Sequence, residues 1–215
     1  MTNVLPLDSD ADENEPRVEA EADVSNVSKP SLLRPATRSD IKLIHARLIE
    51  AIETSPFYSD EFKAFETSRL TKAYLAALIK ADPHHVFVVN DCGQTCGFMI
   101  SGPELGVLWL YWSYMFPEKR QNGRAMSCMR AFIEHWNNGK FHKISTYTRP
   151  ENRVAQLLMK RFKFKLVCTL EQHIFGEDFM LYDRPLTKTS AGYDRGVGVG
   201  TIGKFKQRVR EIFRL

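Results

Sequence analysis

Residues 116–125, FPEKRQNGRA, set Lys119, Arg120, Gln121, Asn122, Gly123 and Arg124 between a strongly apolar stretch and a segment of helical periodicity. A loop of this kind is suited to gripping an anion. Where a strand turns straight into a helix, the first helical amides lack partners and the positive end of the dipole faces the turn, so backbone donors can bind a pyrophosphate. Gly123 lets the backbone approach closely because it has no Cβ. Arg120 and Arg124, with Lys119 beside them, add charge-assisted donors for phosphate oxygens. The same residues also fit a solvated basic loop ahead of a surface helix, so the flanking elements must decide between the two.

Those elements follow a regular order through residues 30–186. Ser31–Leu33 reads as a short strand. Thr37-x-x-Asp40 then matches a capping box, and Ile41, Ile44, Leu48 and Ile52 recur at helical spacing. A second helical region spans 60–80. VFVVN and TCGFMISG form a hairpin about a turn at Asp91-Cys92-Gly93. GVLWLYWSYMF, apolar on both faces, reads as a central strand. The helix from Arg124 buries Met126, Met129, Ile133 and Trp136 and stops near Asn138-Gly139. HKISTYT is a strand, and Asn152 to Phe162 is a helix carrying Val154, Leu157 and Leu158. KLVCTLEQHIF and FMLYDRPL close the order as an antiparallel pair.

This order and the opening loop resemble the GCN5-related N-acetyltransferase superfamily over residues 32–186. The family's acyl-CoA signature, Arg/Gln-x-x-Gly-x-Gly/Ala, matches Arg120-x-x-Gly123-x-Ala125, and LLRPATRSD and ENRVAQLLMKRFKF stand where its opening strand and its Asn-x-x-Ala helix belong. The resemblance implies an α/β (α+β) fold: a mixed, mostly antiparallel sheet of about seven strands flanked by four helices. It also implies acetyl-CoA as co-substrate, held by Met115, Arg120, Gln121, Asn122, Gly123, Arg124, Ala125 and Asn152. Asn152 additionally suits the N-cap of its helix. The amide of Met115, at a separation of the central strand from KISTYT, would polarise the thioester carbonyl. An amine acceptor would bind around residues 54–70, which include Phe57, Tyr58, Asp60, Glu61 and Arg69.

The usual catalytic side chains of the family are absent from their places. Trp109 to Phe116 contains no acid to serve as base, the helix position of the general-acid tyrosine is Met159, and Lys163 replaces the glycine before Phe164. A thiol of pKa near 8.5 can leave as thiolate without an acid. Ser113, Tyr114 or Tyr147 could hold a water in place of the base, although packing or surface placement also accounts for each.

Composition bounds the rest. The chain has 215 residues, 43% of them apolar and 26% charged, enough for one sizeable core. Four cysteines without a CxxC pair, and no apolar run behind a basic start, make reducing cytoplasm the expected compartment. Cys92, Cys96, His84 and His85 match no common zinc spacing, so no metal is expected. Residues 1–29 carry eight acids against Arg17 and Lys29 and read as a disordered tail; residues 187–215 carry seven bases and two acids, in a glycine-rich tether and a basic amphipathic helix. That helix, with Phe205, Val209, Ile212 and Phe213 on one face, fits a partner groove, an anionic surface, nucleic acid or its own domain. Three functions follow as expectations. They are an N-acyltransferase acting on an amine, a catalytically reduced structural or interaction protein such as a phage head or internal virion component, and a nucleic-acid-associated module.

Overall fold

The structure, a computed structural model, describes residues 32–91, 93–120 and 123–194. Seven strands, β1 (Leu33–Pro35), β2 (Val86–Asp91), β3 (Gln94–Glu104), β4 (Val107–Met115), β5 (Lys143–Thr148), β6 (Lys165–Ile174) and β7 (Glu177–Pro185), form one sheet. Its order is β1-β2-β3-β4-β5-β7-β6. Every neighbouring pair is antiparallel except β4 with β5, which is parallel.

Five α-helices cover its two faces. Three of them, α1 (Ile41–Glu53), α2 (Asp60–Arg69) and α3 (Lys72–Ala81), lie on one side; α4 (Arg124–Trp136) and α5 (Arg153–Arg161) lie on the other. Alternation along β2 feeds both cores: Val86 and Val88 pack with Ile44, Leu48, Leu75 and Leu78, whereas Phe87 and Val89 pack with Met129, Phe132 and Trp136. The capping box is present, with the Thr37 N–H donating to the Asp40 carboxylate at 2.7 Å.

Three details differ from the sequence reading. The helical region at 60–80 is two helices, which raises the count from four to five. Leu70 leaves the α conformation (ψ 52°), and the Thr71 hydroxyl restarts a helix by accepting the Tyr74 N–H at 3.2 Å. The first strand starts at Leu33 rather than Ser31. Val154 and Leu157 are 77% and 67% exposed, because α5 packs inward through Leu158, Met159 and Phe162 instead.

The acidic N-terminal tail and the basic helix at 204–215 lie outside the described residues. Residues 187–194 run back along the domain: the Thr189 and Ser190 amides donate to the Gly139 carbonyl at 3.0 Å, and the Gly106 amide donates to the Asp194 carbonyl at 2.8 Å. Among the described residues no helix is long and apolar enough to cross a membrane.

Candidate active site

The parallel strands β4 and β5 pair at Leu108 with Ile144 and Trp109 with Ser145, and no further. Two features separate them. Tyr111 is an extra residue in β4, because Ser101 faces Leu110 while Ile100 faces Trp112. Beside this bulge the Thr146 hydroxyl donates to the Leu110 carbonyl at 2.9 Å, so a side chain takes an acceptor that a continuing backbone ladder would use.

Beyond this point β4 offers backbone polar groups to an open cleft. The Phe116 amide donates to the Cys96 carbonyl at 2.9 Å. Antiparallel alternation then turns the polar groups of Met115, and of Ser113 two residues back, away from β3. The Met115 carbonyl accepts from Arg120 Nε at 3.2 Å, and by the same alternation its N–H faces away from β3.

From the end of β4 the chain passes through a short helical turn, Pro117–Lys119, to the start of α4. Gly123 has φ 88° and, among the described residues, no side chain caps the helix; the first helical bond runs from the Ser127 amide to the Gly123 carbonyl at 3.0 Å. The amides of Arg124, Ala125 and Met126 precede that bond and have no intrahelical acceptor. A Cβ on Gly123 would meet nothing within 4 Å, so the demand for glycine comes from the left-handed backbone, and the space beside it is open. The two arginines differ. The Arg124 guanidinium is held by the Asp91 carboxylate, whereas that of Arg120 lies over the Tyr114 ring at 5.8 Å. Lys119 Nζ donates to Gln94 Oε1 at 2.7 Å. Gln121 and Asn122 lie outside the described residues. Asn152 is the N-cap of α5, its Oδ1 accepting the Ala155 amide at 3.1 Å.

On the α2 side of the sheet a cavity of about 360 Å³ adjoins the separated strands, lined chiefly by aromatic rings from α2, β4, β5 and the β6–β7 hairpin. Of the three residues expected to hold a catalytic water, Tyr147 lines this cavity, with its ring 4.9 Å from Trp109. Ser113 is exposed on β4, and Tyr114 packs between Phe98 and Phe116. Burial, then the nearby Glu104, raises the Tyr147 phenol above its ordinary value. Burial likewise raises Tyr111, and it pushes Tyr58 up to about 12. These phenols keep their protons at neutral pH and can donate but not act as bases.

Two acidic residues from outside the central strand, Glu66 and Glu104, line the cavity. Glu66, 5% exposed, is fully engaged: Arg69 Nε and Nη2 donate to its two oxygens at 2.8 and 3.0 Å, and Trp112 Nε1 donates at 2.9 Å. Glu104, at the end of β3, makes no side-chain hydrogen bond or ion pair with the described residues. Glu66 carries a weak sequence signal in its i,i+3 spacing to Arg69, and Glu104 carries none. Met159, at the place of the expected tyrosine, is buried in the α4–α5 core. No group of three or more His, Cys, Asp or Glu among the described residues is placed to hold a metal. Cys92 lies outside the described residues. His84 instead stacks on His135 at 4.1 Å, and His85 stacks on Trp136 at 4.9 Å.

A cleft between two separating parallel strands, with an uncapped helix start at one end and an aromatic cavity on the other face, is the architecture of an acyl-CoA-dependent acyltransferase. The profile of the acetyltransferase (GNAT) domain matches residues 31–165. The chain therefore belongs to the GNAT family of acetyltransferases. No curated protein matches it.

Solved structures share the fold. The ribosomal-protein-alanine N-acetyltransferase of Brucella melitensis superposes with a TM-score of 0.60 at 20% identity, over 73% of this chain and all (100%) of its own. A phosphinothricin acetyltransferase from Sinorhizobium meliloti, in complex with acetyl-CoA, gives 0.59 at 17% identity over 79% and 96%. The yncA protein of Salmonella typhimurium, with its cofactor acetyl-CoA, gives 0.61 at 15% identity over 74% and 96%.

Proposed function

We propose that this protein transfers the acetyl group of acetyl-CoA to an amine. The observation that carries the reading is the parting of β4 from β5 after Trp109 and Ser145, directly before an uncapped α4 with a left-handed glycine at its cap. The family supplies the co-substrate, and the residues fit it. The amides of Arg124, Ala125 and Met126, which have no intrahelical acceptor, and the Arg120 guanidinium suit the pyrophosphate. The outward groups of Ser113 and Met115 suit the amide-bearing arm, which can extend β4 as a strand would.

When bound, acetyl-CoA supplies an acetyl group already activated as a thioester. The Met115 N–H stabilises the negative charge that develops on the carbonyl oxygen. A neutral amine entering from the cavity forms the new N–C bond as the C–S bond breaks. The sulfur departs as thiolate and takes a proton from water or from Tyr147, whose phenol is protonated at neutral pH, while the nitrogen releases one proton to water or back to Tyr147 as the amide forms.

Calorimetric titration and thermal unfolding with acetyl-CoA test this reading. Saturating ligand should raise the melting temperature by about 5 °C or more. Gly123→Trp should remove that rise, while Gly123→Asn, which tolerates the left-handed backbone, should reduce it. Arg120→Ala should weaken binding about tenfold, as expected for one charge-assisted contact. Arg124→Ala should weaken it less, because its guanidinium already serves Asp91. Absence of any acetyl-CoA binding would reject the proposal.

A further inference from the structure

We infer, resting on the acetyltransferase reading, that the acceptor is a small arylalkylamine: a primary amine on a flat aromatic body, bearing no carboxylate. Three properties of the cavity argue for it.

The first is shape and surface. Its volume, about 360 Å³, falls at the lower end of small-molecule pockets. Its walls are ring faces: Tyr58 stacks on Phe62 at 4.3 Å and lies parallel to Phe179 at 6.5 Å, and Trp109 and Tyr147 stand together at 4.9 Å. A flat apolar body can pack between such faces, and their quadrupoles attract a cation.

The second is charge. Glu66 is neutralised by Arg69 and hydrogen-bonded by Trp112, so it offers no charge to a ligand. Glu104 is the remaining acidic residue lining the cavity; it is exposed at the end of β3 and has no side-chain partner among the described residues, so it is available at the rim to a ligand that enters. One unspent negative charge matches one ammonium. The nearby cations are engaged: Arg69 by Glu66, and Arg149, which lies over Phe179 at 5.2 Å, by Glu177 at 2.6 Å and Glu151 at 3.3 Å. An acceptor carrying its own carboxylate would find Glu104 without a compensating cation.

The third is the mouth. Phe65 of α2 meets Phe175 of the β6–β7 turn edge-to-face at 5.7 Å. Both rings are about half exposed, 48% and 49%. Phe175 (φ 52°) and Gly176 (φ 75°) make a left-handed turn that carries this ring. The two rings join α2 to the hairpin beside the cavity, which Phe65 and the adjoining Ile174 line. A small amine fits beneath them, whereas a peptide requires them to part.

In the reaction the Glu104 carboxylate holds the ammonium, which gives up one proton through Glu104 to water. The freed lone pair forms the N–C bond to the acetyl carbon, the nitrogen then loses its second proton to water, the C–S bond breaks, and the departing thiolate takes up a proton.

The test uses the full chain and four probes: phenethylamine, phenylalanine, spermidine and a peptide with a free N-terminal alanine. Phenethylamine should quench tryptophan fluorescence from Trp109 and Trp112 and be acetylated with kcat/KM at least tenfold above each of the others. Glu104→Gln should lose most of the quenching while leaving the acetyl-CoA affinity unchanged. Phe175→Ala should raise peptide acetylation relative to phenethylamine. Phenylalanine, spermidine or the peptide performing as well as phenethylamine overturns the inference, as does acetyl-CoA binding without phenethylamine quenching. Failure to bind acetyl-CoA at all is a different outcome, and it rejects the acetyltransferase reading beneath it.

Discussion

The Thr146 hydroxyl donates to the Leu110 carbonyl at 2.9 Å, one residue past the last backbone pairing of β4 with β5. Thr146 is buried, so its hydroxyl both satisfies an interior carbonyl and marks where the two strands part. Thr146→Val keeps the shape and removes the donor, stranding that carbonyl. The expected cost is roughly 1–3 kcal/mol of stability by urea denaturation, together with weaker acetyl-CoA binding. Unchanged stability would mean that the strands are parted by the Tyr111 bulge alone.

Lys163 stands directly after α5 with φ 59°, and Phe164 beyond it is buried. This is the left-handed position that helix ends usually fill with glycine, and a lysine there is strained. Lys163→Gly should stabilise the fold by about 1 kcal/mol. Equal or lower stability would show that the greater freedom of glycine in the unfolded chain outweighs the relief.

His85 is 2% exposed, stacks on Trp136 and has no partner at Nδ1. Burial lowers its pKa to about 4; Asp82 and Asp194 favour the proton, while Lys140 and His84 oppose it. In the folded protein the ring is therefore neutral where the unfolded chain, with a pKa near 6.5, already takes up a proton. The stability that this neutral ring contributes is complete above pH 6.5 and is lost as pH falls toward 4. The loss is of the order of 3 kcal/mol at most. Burial also lowers His45 and His135, which tilts the profile the same way. His85→Phe should flatten the denaturation profile over this range relative to the wild-type chain. An unchanged slope would place the titration on the other histidines.

How far the sequence carries depends on the range of the interaction. The hairpin at Gly93, the helix after Gly123 and the Asn152 cap are short-range features, fixed by turn chemistry and periodicity within a few residues. The split of the 60–80 region turns on Leu70 and the Thr71 cap that follows it, which apolar spacing does not mark. The bulge at Tyr111 exists only in the register of β3 against β4. The cavity is longer-range still, since Glu66, Glu104, Tyr147 and Phe179 come from four separate elements. For that reason Glu104, which lines the cavity from the neighbouring strand β3, carries no mark in the sequence of the central strand.

Glu66 and Arg69 form the floor of that cavity, and their interaction is separable from the chemistry above it. The guanidinium forks onto both carboxylate oxygens, lies over the Tyr111 ring at 4.9 Å, and leaves Trp112 Nε1 to complete the carboxylate. Glu66→Gln replaces one acceptor oxygen by a donor facing Arg69 or Trp112. The pair is mostly buried, but Arg69 retains 29% side-chain exposure, so water offsets part of the loss. The expected destabilisation is about 2 kcal/mol, below that of a fully buried pair. Because the guanidinium would then be released toward the rings, the KM for a cationic acceptor should rise while the acetyl-CoA affinity stays constant. Changing Glu66 and Arg69 together to leucine should recover most of the stability, since no charge is left buried, though Trp112 Nε1 then loses its acceptor. If the double change is as costly as the sum of the single ones, the two residues act independently and the floor is held by the aromatic packing alone.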